Sequence, residues 1–328
     1  AARRAERILN ALRQPLRLGD REIRLSASIG ALLIGGEGRS VADSLRAVDT
    51  AMHHAKREGR DTLRFFDPSM QAHAETAFWM AGDLRRALAS DVLQLHYQPK
   101  VDRQGVVVGA EALLRWHPEG GAPISPALFV PAAEQSGLMP ALGQWVLRRA
   151  CRDHMQLRAE GRVLPLAINV SAAQLRQPDF VDASLAVLRE AGVHPGDITL
   201  EITESVVIDD IDAAVACLQA LREKGLRLSM DDFGTGYSSL AYLKRLPLDE
   251  IKIDRAFVHD AESSRGDRAL IEAIASVGEA LGLDVIAEGV ETEAQATLLR
   301  TAGCTGMQGY LFGRPMPLAE LSHRIRDL

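Results

Sequence analysis

From Asp91 onward, short apolar runs alternate along the chain with stretches in which apolar residues recur at every third or fourth position. The short runs predict eight strands, at Leu93–Gln98, Val106–Leu113, Pro165–Val170, Ile198–Ile202, Arg227–Met230, Glu250–Ile253, Asp284–Ala287 and Met307–Leu311. The three- and four-residue recurrence predicts helices between the later strands, at Asp212–Lys224, Arg268–Leu281 and Glu293–Ala302. A glycine follows each of these helices, at Gly225, Gly282 and Gly303, where a C-terminal cap favours it. Eight strands joined mostly by helices predict a TIM (β/α)8 barrel over residues 91–328.

An open, doubly wound α/β sheet is the alternative architecture for this pattern. Such a sheet binds its ligand at a switch point in the strand order and usually needs a glycine-rich phosphate-binding loop. No such loop opens a helix in this sequence. The barrel is therefore the favoured α/β fold.

Residues 1–66 have a different pattern, which predicts a small α/β fragment in front of the barrel. Its predicted elements are a helix at Ala5–Leu12, one long strand at Glu22–Ile34, a helix at Ser44–Glu58 and a short strand at Thr62–Phe66. Residues 67–90 are predicted to form a helical connector that packs on the barrel.

The composition of the chain indicates which partners and which cellular compartment to expect. The chain has 328 residues, of which 47% are hydrophobic, and its net charge of −6 argues against a basic surface that binds a nucleic-acid polymer. The three cysteines form no Cys-x-x-Cys pair, which indicates buried thiols in a reducing compartment. No signal peptide is visible, and no apolar run approaches the roughly 18 residues of a membrane helix. We therefore expect a cytoplasmic segment without membrane contact, although the full-length protein could be anchored upstream.

Oxygen-bearing side chains stand at or near the ends of several predicted strands. The run Leu228–Met230 leads into the adjacent carboxylates Asp231 and Asp232, which a glycine-rich turn follows. Four further segments carry or lead into Glu111, Asn169, Glu201 and Glu288. Buried acids are costly without a cation, and oxygen donors without His or Cys suit Mg²⁺, Mn²⁺ or Ca²⁺. Because the C-terminal strand ends of a barrel converge, the pattern predicts a divalent-metal hydrolytic site.

Lys252 is the candidate cation of this site. Strand alternation places Lys252 and Asp254 on one face of their strand. A lysine among so many acids would stabilise charge that develops on a phosphate or orient a water. A structural ion pair between Lys252 and Asp254 explains the same spacing equally well.

Seven motifs follow one another along the C-terminal region. They are Glu111-Ala-Leu-Leu-Arg-Trp116, Asn169-Val-Ser171, Leu200-Glu-Ile-Thr-Glu204, Asp231-Asp-Phe-Gly-Thr-Gly236, Lys252-Ile-Asp254, Glu288-Gly-Val-Glu291 and Gln308-Gly-Tyr310. In this order they resemble the EAL-domain cyclic-di-GMP phosphodiesterases, over about residues 80–328. The resemblance implies a modified TIM barrel in which one of the first strands runs antiparallel to the rest. It also implies hydrolysis of cyclic di-GMP to the linear dinucleotide pGpG.

The resemblance further implies a two-metal site with Mg²⁺ or Mn²⁺ as cofactors and Ca²⁺ as an inhibitor. The matched ligands of the first metal are Glu111, Asn169, Glu201 and Asp231. Asp231 and Asp232 match the ligands of the second metal. Each active site is therefore expected to hold two ions that share Asp231.

Other positions match residues with catalytic or supporting roles. Lys252 matches a lysine that contacts the catalytic water, and Glu288 matches a glutamate of the second metal's hydration shell or a general base. Glu204 matches a glutamate that steadies the loop Phe233–Ser239 after Asp232. The residues predicted to contact substrate or to support the site are Gln98, Leu114, Arg115, Asp254, Glu291 and Gln308.

Three short motifs precede the connector: Ser28-Ile-Gly30, Asp49-Thr-Ala-Met52, and Ala55-Lys56 followed by Gly59-Arg60. They resemble the second half of a GGDEF diguanylate cyclase domain. The Gly-Gly-Asp-Glu-Phe signature is absent, as is the metal-binding half that would precede it. Residues 1–66 are therefore expected to be a partial domain without cyclase activity.

Two other functions are compatible with the same residues. The first is a receptor module that binds cyclic di-GMP without cleaving it, which the complete set of predicted metal ligands disfavours. The second is a barrel phosphohydrolase that acts on a different phosphodiester. A homodimer is implied by the resemblance alone.

Overall fold

The computed structural model describes residues 2–18, 21–23, 25–34, 40–57, 61–90, 92–204, 211–234 and 243–326. The chain forms two compact units, residues 1–83 and residues 84–328. The division lies inside the predicted connector. None of the described helices combines the length and the apolar character that crossing a membrane requires.

The N-terminal unit contains two small sheets and their helices. Its elements are α1 (Ala2–Leu12), β1 (Leu16–Leu18), β2 (Arg21–Ile23), β3 (Ile29–Ala31), α2 (Val41–Arg57) and β4 (Leu63–Phe65), followed by α3 (Pro68–Ala87), which spans the division. β1 and β2 pair antiparallel, whereas β3 pairs parallel with β4. The single long strand predicted at Glu22–Ile34 is therefore wrong. Alternation of polar and apolar residues indicates which side chains share a face. It does not indicate that the first part of the segment pairs with β1 and the later part with β4.

The C-terminal unit is a closed barrel. Its strands are β5 (Leu93–Asp102), β6 (Val107–Trp116), β7 (Leu166–Val170), β8 (Ile198–Thr203), β9 (Arg227–Phe233), β10 (Glu250–Ile253), β11 (Asp284–Ala287) and β12 (Gly306–Gln308). Each strand pairs with its neighbours in sequence, and β12 pairs with β5 to close the barrel. β5 runs antiparallel to both β6 and β12, and the other pairs are parallel. The predicted modified TIM barrel is confirmed, including its one reversed early strand.

Helices follow most of the parallel strands. They are α4 (Pro126–Gln135), α5 (Met139–Ala159), α6 (Ala172–Leu175), α7 (Phe180–Ala191), α8 (Ile211–Glu223), α9 (Arg255–Asp260), α10 (Arg265–Leu281), α11 (Glu293–Ala302) and α12 (Leu318–Arg326). Gly282 and Gly303 end α10 and α11 in the left-handed conformation, with φ of 70° and 102°. These two predicted caps are confirmed.

β12 is shorter than the strand predicted at Met307–Leu311. It ends at Gln308 because Gly309 begins a turn against the backbone of Val290. A Cβ atom at Gly309 would lie 2.1 Å from the Val290 carbonyl oxygen, so this close approach requires glycine. The turn holds Gln308 at the barrel end.

The two faces of the barrel strands differ in polarity. The outward face packs on the helices, as Tyr97 of β5 shows: its buried hydroxyl donates to Asp153 Oδ2 of α5 at 2.6 Å. Arg149 also donates to Asp153, at 3.0 Å. The next residue of β5, Gln98, contacts Gln308 and therefore faces the interior. Apolar packing thus lies outside the strands, and polar contacts lie inside them.

Tyr97→Phe is expected to lower the free energy of unfolding by about 1.5–3 kcal/mol, the range for a hydrogen bond to a charged group. The change removes one buried oxygen and leaves the ring in place. Urea denaturation of the variant and of wild type measures the difference. Tyr310→Phe is the matched control, because Tyr310 is half exposed. Equal stability of Tyr97→Phe and wild type would show that the hydroxyl contributes nothing to anchoring α5.

Candidate active site

The centre of the barrel interior is the ammonium group of Lys252, whose side chain is fully buried. It stands at the third position of β10 and reaches carboxylates from several other strands. Its Nζ lies 3.5 Å from Glu111, 3.1 Å from Glu201, 3.2 Å from Asp231 and 2.5 Å from Glu288. One cation therefore joins four predicted site carboxylates.

Asp254 does not pair with Lys252 among the described residues. It is the N-cap of α9, where its carboxylate accepts a hydrogen bond from Ala256 N at 2.7 Å. β10 ends at Ile253, so Asp254 lies beyond the strand alternation on which the sequence argument relied. The structural ion pair between Lys252 and Asp254 is thus not formed.

Amide side chains orient Glu111 from two sides. Asn169 of β7 donates to Glu111 Oε1 at 2.7 Å, and Gln308 of β12 donates to Oε2 at 2.6 Å. Gln308 also donates to Gln98 at 3.2 Å, and Gln98 donates to the carbonyl of Gly313 at 3.1 Å. This hydrogen-bonded chain fixes three predicted site residues against a fourth, Glu111.

Asp231, Asp232 and Glu288 form an acidic cluster at the carboxyl end of β9 and β11. Carboxylate oxygens from the three residues lie within 4.8 Å of one another. Asp232 has a φ of 54°, a conformation that residues other than glycine rarely adopt, and its N–H donates to Asp231 Oδ1 at 3.0 Å. Such a strained residue at a strand end is typical of a functional site.

Glu201 and Lys252 are both charged although both are buried. Burial raises the pKa of Glu201, but Lys100 and Lys252 outweigh it and hold that pKa at about 2. Burial lowers the pKa of Lys252, but Glu111, Glu201 and the other carboxylates raise it well above its ordinary value. The mutual attraction of Glu201 and the two lysines favours the charged form of all three groups.

The carboxylates around Lys252 could carry more negative charge than its single positive charge balances. Burial, together with Asp231 and Glu111, raises the pKa of Glu288 to about 8 even though Lys252 opposes the shift. Burial, Asp231 and a hydrogen bond with Asp254 raise the pKa of Asp232 to about 6. An oxygen-only cluster with this surplus of negative charge fits a bound divalent cation.

A cavity of about 620 Å³ opens beside this cluster. Its walls include three of the carboxylates around Lys252, namely Glu111, Asp231 and Glu288, and also residues of β6, α9 and the turn after β12. The residues that line it are Gln98, Glu111, Leu113, Asp231, Arg255, Ala256, His259, Asp260, Glu288, Gly289, Glu291, Gln308, Gly309 and Tyr310. Three of the predicted substrate residues, Gln98, Glu291 and Gln308, are among them.

The other predicted substrate residues lie outside this lining. Leu114 packs against the hydrophobic core, and Arg115 is partly buried with its guanidinium donating to the Leu114 carbonyl at 2.9 Å. Asp254 caps α9, as described above. Substrate contacts by Leu114, Arg115 and Asp254 stay predictions.

Glu204 is buried directly after β8, and its Oε2 accepts a hydrogen bond from Gly234 N at 3.4 Å. Gly234 follows Asp232 and Phe233, and it has a φ of 98°. Glu204 thus contacts the beginning of the loop that it is predicted to steady. Residues 235–239 of that loop lie outside the described residues.

The structure also places residues at the site that the sequence analysis did not propose as site residues. Leu113 lines the cavity, and it is two residues from Glu111 on the same face of β6. Lys100 is two residues from Gln98 on β5, and its Nζ donates to Glu201 and Glu250 inside the barrel. The period of two along a strand could have indicated both. Arg255 lines the cavity from the start of α9 and had no such signal, whereas Tyr310 lines it from the turn after β12 and belongs to the Gln308-Gly-Tyr310 motif.

Comparison with known families separates the chain into two regions. Residues 81–315 match the EAL domain, and residues 1–62 match the GGDEF domain of diguanylate cyclases. These matches confirm both resemblances and their order along the chain.

Individual relatives agree with this division. The chain is 44% identical over 325 residues to a bifunctional diguanylate cyclase/cyclic di-GMP phosphodiesterase, MucR, and 41% identical over 325 residues to a cyclic di-GMP phosphodiesterase, NbdA, both of Pseudomonas aeruginosa. The alignments cover 98% of this chain, 47% of MucR and 41% of NbdA, so the chain spans about half the length of these curated relatives or less.

A solved structure extends the similarity to three dimensions. It is the PaMucR phosphodiesterase in complex with c-di-GMP, which superposes with a TM-score of 0.71 at 44% identity. The superposition covers 74% of this chain and 99% of that structure. The EAL domain match extends over most of the chain, and the similar solved structure is 44% identical and almost completely covered. The chain therefore belongs to the EAL domain family.

Proposed function

We propose that this chain hydrolyses cyclic di-GMP to linear pGpG as a metal-dependent phosphodiesterase. The observation that carries the proposal is the group of four carboxylates around the buried Lys252, next to a cavity of about 620 Å³. The names of MucR and NbdA, and the c-di-GMP bound in the similar structure, support the choice of substrate.

The donor set suits two Mg²⁺ or Mn²⁺ ions. Glu111, Asn169, Glu201 and Asp231 would hold one ion, and Asp231 with Asp232 would hold the other. Asp231, Asp232 and Glu288 already present oxygens within 4.8 Å of one another, with no His or Cys in the cluster. When bound, such ions lower the pKa of a water and neutralise charge on a phosphodiester.

The protein residues divide the remaining tasks. Protonated Lys252 holds the carboxylates together and would place positive charge near the phosphate as the phosphate gains negative charge. Glu288 lies in the acidic cluster, 2.5 Å from Lys252 Nζ, so its carboxylate is placed to exchange a proton with a nearby water. As the water oxygen bonds to phosphorus, the bond to the 3′ oxygen breaks and that oxygen takes up a proton. The phosphate stays on the 5′ carbon, which yields pGpG.

Substrate binding falls to the polar groups of the cavity wall. Gln98, Glu291 and Gln308 offer hydrogen bonds to the nucleotide. Arg255 lines the cavity and forms no ion pair within the described part of the chain, so its guanidinium is suited to contact a phosphate oxygen. Homodimerisation stays a prediction.

The alternative is a receptor that binds cyclic di-GMP without cleaving it. The complete oxygen donor set disfavours this alternative, because binding alone does not require a strained Asp232 beside two further acids. The discriminating experiment incubates the chain with cyclic di-GMP and Mg²⁺ or Mn²⁺ and separates the products by chromatography. Formation of pGpG supports hydrolysis. Bound but uncleaved nucleotide supports the receptor. Faster cleavage of another phosphodiester would show that cyclic di-GMP is not the preferred substrate.

Asp231→Asn is expected to lower kcat by more than about a hundredfold, which exceeds the usual loss from residues that only support a metal site. The substitution keeps the shape of the side chain but removes the charge that two cations would share. Steady-state kinetics with Mn²⁺ measures the effect. Asp284→Asn makes the same chemical change at the start of β11, where Asp284 is half exposed and pairs with Arg227. If Asp231→Asn hydrolyses the substrate as fast as Asp284→Asn, Asp231 is not a metal ligand.

Glu204→Ala is expected to weaken the apparent affinity for the activating metal without removing a ligand. Loss of the contact to Gly234 N frees the segment that follows Asp232. We expect an activity loss of about tenfold at limiting Mg²⁺, at the lower end of the range for supporting residues, and partial recovery at excess Mg²⁺. Glu204→Gln, which keeps an acceptor oxygen, is the control. Unchanged activity of the alanine variant at every Mg²⁺ concentration would exclude this supporting role.

Mg²⁺ and Mn²⁺ are expected to support turnover, and Ca²⁺ is expected to bind and inhibit. Ca²⁺ prefers oxygen distances of about 2.3–2.6 Å, whereas Mg²⁺ requires about 2.0–2.1 Å. The compact acidic cluster favours the smaller ions as catalytic cofactors. Rates with each ion alone, and then with Ca²⁺ titrated against fixed Mg²⁺, make the test. Full activity with Ca²⁺ alone would contradict a site that demands short metal–oxygen distances.

A further inference from the structure

A second buried lysine lies deeper in the barrel than the candidate active site. Lys100 of β5 is 5% exposed, and its Nζ lies 2.7 Å from Glu201 Oε1 and 2.9 Å from Glu250 Oε1. The buried hydroxyl of Ser229 donates to the same Glu250 oxygen at 2.8 Å. Lys100 therefore bridges Glu201 to a polar layer that contains no other predicted site residue.

The strand registers show that this layer is continuous with the site. Glu201 of β8 is paired with Ser229 of β9, and Ser229 is paired with Glu250 of β10. Lys252 stands two residues after Glu250 on the same face of β10. Glu201 consequently lies between the two lysines, with Lys252 towards the cavity and Lys100 on the far side.

The two oxygens of Glu201 have separate partners. Oε1 accepts from Lys100 at 2.7 Å, and Oε2 accepts from Lys252 at 3.1 Å. The side chain of Glu201 is completely buried, so water does not compete for either oxygen. Lys100 thus holds one oxygen from the deeper side, and the other oxygen lies beside Lys252, which also contacts the predicted metal ligands Glu111 and Asp231.

Packing alone does not account for Lys100. A buried ion pair is often no more stabilising than apolar residues of the same volume, because each charge loses its hydration. Tyr97 on the outward face of β5 contacts a helix residue, Asp153, whereas Lys100 on the inward face reaches a residue predicted to hold metal. A role in orienting Glu201 explains both its charge and its position.

We propose that Lys100 is a positioning residue, which holds Glu201 by one oxygen so that the other is available to a divalent cation. This inference rests on the proposed function only in taking Glu201 as a metal ligand. Without Lys100, Glu201 can rotate and offer both oxygens to Lys252, which reduces its availability to a metal. Lys100 itself does not line the cavity.

The test compares Lys100→Met with Ser229→Ala. Methionine replaces the lysine with an apolar side chain of similar length, and the alanine variant removes a buried hydrogen bond at the same depth without changing Lys100 or Glu201. Mn²⁺ affinity is measured without substrate, by electron paramagnetic resonance of the free ion. We expect Lys100→Met to weaken Mn²⁺ binding by about 10- to 100-fold, the range for residues that orient metal ligands, and Ser229→Ala to weaken it by less than about threefold.

Kinetics supply a second readout. At limiting Mn²⁺, kcat of Lys100→Met should fall while KM for cyclic di-GMP stays within about twofold, since Lys100 does not contact the nucleotide. Mn²⁺ affinity equal to wild type in Lys100→Met would overturn the proposal, as would equal weakening in both variants or no Mn²⁺ binding by wild type. If Lys100→Met does not fold, Lys100→Met combined with Glu250→Gln removes the unpaired deep carboxylate, and the same affinities decide the outcome.

Failure of the proposed function is distinguishable from failure of this inference. A wild-type chain that binds Mn²⁺ but does not cleave cyclic di-GMP would contradict the phosphodiesterase proposal. The Mn²⁺ affinities of wild type and the two variants would still decide whether Lys100 positions Glu201.

Discussion

The barrel interior depends on the attraction between the Lys252 ammonium group and the four carboxylates around it. In a buried environment, removal of one partner of an ion pair costs about 3–5 kcal/mol, because the remaining charge is left without compensation. Each of the four acids comes from a different strand or strand end, so Lys252 determines how closely those strands can place their side chains. The geometry of the candidate site follows from this one cation.

The same charge distribution links structure to the proposed reaction. The four acids around Lys252, together with Asp232 beside them, leave an excess of negative charge, which is seen in the raised pKa values of Glu288 and Asp232. Divalent cations would remove that excess, and the protein would gain its reactive arrangement when they bind. The site is therefore arranged around charges that the protein itself compensates only in part.

The reversed strand β5 gives this barrel a feature that a regular TIM barrel lacks. Because β5 runs antiparallel to both neighbours, residues later in β5 lie deeper in the barrel, whereas residues later in the parallel strands lie nearer the site. Gln98 joins the hydrogen-bonded chain to Glu111, and Lys100 reaches Glu201 from the deeper side. One strand thus supplies both a wall of the cavity and a support beneath it.

The barrel, the strands at Glu250–Ile253 and Asp284–Ala287, and the acids at or near strand ends were predictable from the sequence, because each is encoded by a local period or a short motif. Three features became visible only in the folded chain: β2 and β3 have different partners, Asp254 caps a helix, and Lys100 meets Glu201, 101 residues away. Local periodicity reports which side chains share a face of one element. It carries no information on which other element packs against that face. In a closed barrel, that face meets side chains from strands that are far apart in the sequence.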